Sequence, residues 1–250
     1  MQEEQHIMKK TEKNIRLEKY LKNYLDRLPD PIPYDQSPKI KIKDGLLYRV
    51  SGWIKEYKTS ENIKGLRKTE WVGFSYLLEK LYLTKNIQEV YPLSLHGYLI
   101  SLQNIVVDPR NEYYCDIDGV LFTKDKKTLV AFPEGRLGDK YVVPEGTEVI
   151  GENAFMHAGI TEVVMPSTLK KIEPDAFAEA DIYICDFSNT THNRLSARCF
   201  KDCYPTYVIR NKKMVLEDVY TQQGNWGYKS CFFVTPDKKE EVYKKVFIED

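Results

Sequence analysis

YVVPEGTEVIGENAF (residues 141–155) and VVMPSTLKKIEPDAF (residues 163–177) are one phrase written twice, 22 residues apart. Pro144 falls on Pro166, Ile150 on Ile172 and Phe155 on Phe177. The apolar-x4-apolar step inside each copy recurs upstream as Val90 to Leu95 and downstream as Leu195 to Phe200, so four stretches share one internal ruler. Self-similarity of this kind marks a repeat array, in which each unit is too small to bury its own apolar face and does so against its neighbours.

Each unit opens on a short apolar triplet: Leu81-Tyr82-Leu83, Ile105-Val106-Val107, Tyr141-Val142-Val143, Val163-Val164-Met165, Ile182-Tyr183-Ile184 and Tyr207-Val208-Ile209. These are rich in β-branched and aromatic residues, and several are closed by Pro, Thr or Asp, so they read as strands. Stacked in parallel, the first and third residues of each triplet point into the core and the middle one points out. The Ile/Val-x4-Phe stretch then forms the opposite wall. The spacing predicts an α/β repeat solenoid of short parallel strands over residues 61–234.

The longest interval, between Val107 and Tyr141, holds a small β-meander over residues 111–133. Asp118-Gly119 supplies the positive-φ pair of a tight hairpin turn, followed by Val120-Leu121-Phe122 and Leu129-Val130-Ala131-Phe132. A related unit occupies residues 34–60, where Asp44-Gly45 precedes Leu46-Leu47-Tyr48 and then Trp53 to Tyr57. Before it, Leu17, Tyr20, Leu21, Tyr24, Leu25 and Leu28 fall on one stripe of a helix. Pro29, Pro31 and Pro33 end that helix. Residues 1–33 are thus expected to form a helical cap and Pro-rich linker, since the end of a stack needs a polar-faced cover. The segment Cys231 to Val234, with the Lys/Glu-rich residues 235–250, is expected to close the other end. A monomer follows from capped ends.

Composition narrows the function. A chain with 42% hydrophobic and 30% charged residues folds. Lys plus Arg (37) equals Asp plus Glu (37), which leaves no field of one sign to hold nucleic acid. No apolar stretch is long enough for a membrane span, and residues 1–13 show no signal-peptide pattern, so the chain as written reads as cytoplasmic. The five cysteines form an odd set without zinc-ligand spacing. The histidines His6, His96, His157 and His192 are scattered, Asp116 and Asp118 read as turn and surface carboxylates, and no phosphate-binding glycine loop occurs. The sequence predicts no catalytic residue, cofactor or metal.

The middle residues of the triplets, Tyr82, Val106, Val142, Val164, Tyr183 and Val208, are expected side by side on one face. An apolar stripe rimmed by charge is what a surface for a protein or peptide partner looks like. β-propensity alone also favours Val and Tyr there, and another element could fold over the stripe. An alternative reading places carbohydrate handling or another enzymatic activity in the aromatic region Tyr220 to Phe233.

The motifs VVPEGTEVIGENAF and VVMPSTLKKIEPDAF, together with IDGVLFTKDKKTLVAFPEG (residues 117–135), resemble the BspA-like leucine-rich-repeat family of bacteria and some protozoa. The match is close over residues 81–184 and weaker to about 234 and back to about 40. The resemblance implies a leucine-rich-repeat stack used for protein binding, often at microbial surfaces and in adhesion, with no catalytic residues to carry over. The later turns drift from the pattern: Ile184 to Leu195 spans 11 residues where Val143 to Ile150 spans 7.

Overall fold

A computed structural model describes residues 39–51, 54–72, 77–96, 99–136, 138–191, 194–201, 203, 207–211, 213, 215–217 and 232–247. The helix expected within residues 1–33 lies outside them. β1 (Lys39–Lys43) and β2 (Leu46–Ser51) form a hairpin across Asp44-Gly45, whose φ angles are 54° and 78°. Positive φ at both central residues is the turn that Asp-Gly favours, because its twist matches that of the flanking strands. β3 (Glu56–Lys58), β4 (Gly65–Val72), β5 (Lys80–Leu83), β6 (Glu89–Val90) and β7 (Asn104–Val107) then alternate between two walls. β8 (Tyr114–Ile117), β9 (Val120–Thr123) and β10 (Thr128–Ala131) are the meander, and Asp118-Gly119 turns at 50° and 74°.

Alternation resumes with β11 (Gly138–Val142), β12 (Val149–Ile150), β13 (Ile160–Val164), β14 (Lys171–Ile172), β15 (Ile184–Phe187), β16 (Arg194–Ser196), β17 (Tyr207–Arg210), β18 (Val215–Glu217) and β19 (Phe232–Val234). A 3-10 turn at Pro236–Lys238 leads into α1 (Lys239–Phe247). The first wall consists of the parallel sheets β3-β5-β7 and β11-β13-β15-β17-β19. The second wall is β2-β4-β6, then β10-β12-β14, then β16-β18, with parallel pairing at each of these steps. The molecule is a solenoid of short parallel strands, each repeat adding one rung to each wall, with parallel pairing on the first wall starting at Glu56.

The meander is a partition between two cores. Val120, Phe122, Leu129 and Phe132 pack into the C-terminal core, while Leu121 and Ala131 on the opposite faces of β9 and β10 pack into the N-terminal core. With both faces buried, Val120-Leu121-Phe122 carries no polar alternation. The turn tip meets the first wall at the free edge of β7: Ile105 N donates to Gly119 O at 2.9 Å, and Val107 N donates to Asp116 Oδ1 at 2.8 Å. Arg136 ties down Asp118, and a Cβ on Gly119 would come within 2.4 Å of Asn104 Oδ1.

The two cores differ in composition. The N-terminal one is built mainly from Leu and Ile, including Leu47, Leu66, Leu81, Leu95 and Ile105. The C-terminal one is threaded by Phe132, Phe155, Phe177 and Phe200, stacked at 5.2, 5.2 and 5.1 Å between ring centres. Equal spacing follows from one Phe per rung, about 4.8 Å apart with some slip, which is the offset stacking aromatic rings prefer. The same period recurs in the backbone: Asn153 and Asp175 both take φ near 57°, as do His157 and Glu179. Asn and Asp tolerate the left-handed region because their short polar side chains bond locally.

Candidate interaction face

In a parallel wall, residues paired across strands form columns. In the N-terminal half, Tyr57, Leu81 and Ile105 are one inward column. On either side run two outward columns, Glu56-Lys80-Asn104 and Lys58-Tyr82-Val106. Tyr82 OH donates to Glu56 Oε2 at 3.2 Å, Lys80 Nζ stands 3.6 Å from Glu56 Oε1, and the Lys80 ammonium lies 5.7 Å from the Tyr82 ring centre. Tyr82 and Val106 are neighbours and half-buried. An aromatic held rigid between a carboxylate and an ammonium is a surface that loses little side-chain entropy on contact.

In the C-terminal half, Val142, Val164, Asp186 and Ile209 form one outward column, and Lys140, Glu162, Ile184 and Tyr207 form the other. Val142 begins its column 56% exposed, yet Val164 is 8% exposed and Asp186 and Ile209 are fully buried. The cover is α1. Val242 packs against Ile184 and Ile209, with Tyr183, Tyr207 and Tyr243 around them. Lys239 pairs with Asp186, Tyr243 OH donates to Glu162 Oε1, and Lys140 Nζ stands 3.2 Å from Glu162 Oε2. Burial pushes the Tyr243 phenol well above the usual range, reinforced by the Glu162 carboxylate beside it.

The expected stripe is therefore divided and, at its far end, out of phase. Tyr82 and Val106 adjoin, and Val142 and Val164 adjoin. Val208 belongs to the inward column Tyr141-Val163-Cys185-Val208 and is fully buried in the core. Tyr183 lies one residue before β15 and packs beneath α1. The residues that continue the outward column of Val142 and Val164 on the last two strands are Asp186 and Ile209. A strand with both faces covered reads apolar throughout, so its period-2 phase disappears, and a one-residue slip moves every side chain to the other face. The spacing Lys239, Val242, Tyr243, which puts three residues on one helix face, was the available sign of the cover.

A polar cluster that the scattered histidines did not announce lies at the seam between the halves. Glu134, with its side chain 1% exposed, accepts at Oε2 from Leu99 N at 3.0 Å. Its Oε1 is 2.9 Å from His157 Nδ1 and 3.9 Å from His96 Nδ1, and His157 Nε2 is 3.1 Å from Glu179 Oε2. Burial lowers the His96 pKa to about 4. The Glu134 hydrogen bond raises that of His157. Glu134, His157 and Glu179 are 23 and 22 residues apart, one repeat each, so the period itself was the signal. His96 also lines a pocket of about 90 Å³ with Val90, Leu95, Val130 and Gly151, where the second wall passes from β6 to β10. Small-molecule sites run to roughly 300–1,000 Å³. Most of the aromatic region Tyr220 to Phe233 lies outside the described residues.

Residues 131–220 match the model of the BspA type leucine rich repeat region, in six copies. Among solved structures, the chain is similar to the pneumococcal vaccine antigen PcpA at 25% identity and a TM-score of 0.46, covering 56% of this chain and 35% of that one. It is also similar to a leucine-rich repeat protein from Eubacterium ventriosum, at 12% identity and a TM-score of 0.45, covering 71% of this chain and 77% of that one. A leucine rich cell surface protein from Faecalibacterium prausnitzii follows at 12% identity and a TM-score of 0.39, covering 78% and 63%. The chain thus spans about a third of the pneumococcal antigen's length. No curated protein matches it.

Proposed function

The chain carries BspA-type leucine-rich repeats over residues 131–220, and from that premise we propose that it is a non-catalytic interaction scaffold, monomeric, that takes a protein or peptide partner on the open part of its first wall. The observation that carries this reading is the contrast along that wall. Outward positions in β13, β15 and β17 are sealed under α1, whereas Tyr82, Val106 and Val142 have no such cover among the described residues. The open part combines an aromatic anchor, aliphatic neighbours and a bonded charge pair, the mixture that contact surfaces favour.

The test is capture by the immobilised chain beside the same chain carrying Tyr82→Ser and Val142→Ser, with light scattering for oligomeric state. The expected result is a partner whose binding weakens at least tenfold in the double variant, while the melting temperature stays within about 2 °C, because surface substitutions change stability by only about 0.5 kcal/mol. A partner retained at full affinity would overturn the assignment of the face, and a large fall in melting temperature would make these side chains structural.

A further inference from the structure

The covered part of the first wall has a specific chemistry. Two carboxylates, Glu162 and Asp186, stand on adjacent outward columns one rung apart, with Ile184 and Ile209 beside them. α1 answers each feature with one residue: Lys239 with Asp186, Val242 with the two isoleucines and Tyr243 with Glu162. These helix residues are at i, i+3 and i+4, so one short face of one helix supplies all three. The contacts join positions 53 and 81 residues apart in the chain.

The occupancy is selective without being strong. α1 has nine residues, shorter than the roughly 12–15 at which an isolated helix begins to persist in water. Its seating removes Asp186 and Glu162 from water, a cost that Lys239 and Tyr243 offset together with Lys140 beside Glu162 and the Ser188 N–H donated to Asp186 Oδ1. On leaving, both carboxylates regain their water. Glu240, Glu241 and Lys244 remain exposed. A short segment with few buried apolar contacts is the kind that opens locally while the rest stays folded.

We propose that this face is a helix-recognition groove, that α1 is its resident occupant, and that a partner helix presenting a cation, an aliphatic residue and a tyrosine at i, i+3 and i+4 binds by replacing it. The inference rests on the reading of the first wall as the binding side, and uses a different stretch of that wall. α1 is both a lid and a sample of the ligand. The carboxylates select the cation and the phenol, and the isoleucines select the aliphatic residue between them.

The probe is a fluorescent synthetic peptide of residues 235–250, titrated against the full chain by anisotropy. A full-length variant with Lys239→Ala and Val242→Ser weakens the resident helix and is expected to bind the peptide at least tenfold more tightly than the unaltered chain. Adding Asp186→Asn and Glu162→Gln to that variant is expected to abolish the gain. Equal binding by the unaltered and weakened chains, or a gain that survives loss of both carboxylates, overturns the proposal. Amide exchange in the unaltered chain decides the matter if a variant fails to fold: α1 amides are expected to exchange at least tenfold faster than those of β13 and β15, and equal protection would make α1 an integral part of the core. None of these measurements involves Tyr82 or Val142, so their failure leaves the open face standing, and loss of capture there leaves this groove standing.

Discussion

The two halves of the solenoid use the same rung geometry and finish their first wall in opposite ways. In the N-terminal half the outward columns meet water and carry Glu56, Lys80, Tyr82 and Asn104 around Val106. In the C-terminal half the equivalent columns, open at Val142, pass under α1 from β13 onward and carry Ile184, Ile209 and two buried carboxylates. The inward columns are interchangeable in kind. The difference shows that a strand's inner face is set by the repeat, while its outer face is set by whatever element settles on it.

The largest expected effect tests the other difference, that between the two cores. Phe155 sits between two stacked neighbours, so Phe155→Ala is expected to cost about 3–5 kcal/mol in urea denaturation. Leu81→Ala in the Leu/Ile core is expected to fall in the same broad range, about 2–5 kcal/mol. If Leu81→Ala cost far more than Phe155→Ala, the Phe stack would not be the mainstay of its half.

The seam between the halves gives a pH signature. His96, with its pKa lowered from 6.5 to about 4 by burial, favours the folded state above pH 6.5, and that contribution is lost as pH falls toward 4. The drop amounts to up to about 3 kcal/mol. His157, raised by its bond to Glu134, works in the opposite sense: its contribution is complete below pH 6.5 and is lost as pH rises through its elevated value. Thermal melts across this range should show a maximum near pH 6.5. His96→Leu should flatten the acid limb alone and His157→Gln the alkaline shoulder alone; an unchanged profile in both variants would dissolve the assignment.

Two valines sharpen the comparison between open and covered positions. Val208→Ser is expected to cost about 2–3 kcal/mol, because a fully buried valine is lost and an unpaired hydroxyl takes its place. Val142→Ser, on the same wall and 56% exposed, is expected to change stability by less than about 0.5 kcal/mol. Similar losses at the two sites would mean that the column assignment is wrong. The smallest effect belongs to Tyr82→Phe, which removes one exposed hydrogen bond to Glu56 and should alter stability by under about 0.5 kcal/mol. A larger cost would show that the open row is structurally committed.

Much of the architecture was legible because repetition amplifies it. Ile150 over Ile172 and Phe155 over Phe177 mark the second wall and the aromatic stack, and Asp44-Gly45 and Asp118-Gly119 mark two hairpins whose geometry only such pairs adopt readily. The first four triplets had a readable phase: Leu81, Ile105, Tyr141 and Val163 point inward as expected. Phase failed where water was excluded from both faces. Ile182 to Cys185 and Tyr207 to Ile209 offer apolar residues at every choice of register, and only pairing with the preceding strands β13 and β15 decides among them. The site was therefore half legible. Tyr82, Val106 and Val142 follow from alternation, whereas Asp186 with Lys239 and Glu162 with Tyr243 join residues too distant in sequence for any local pattern to connect.

The partition formed by β9 and β10 changes how the stack counts as a repeat protein. A chain of independent rungs behaves as a one-dimensional lattice that can lose its ends one unit at a time. Here single strands are shared between neighbouring blocks, with Leu121 belonging to one and Phe122 to the other. Neither block can release those strands without stripping the other of part of its boundary. The cooperative length is therefore longer than one repeat, and fraying from either end should halt at residues 114–131 until both blocks give way together.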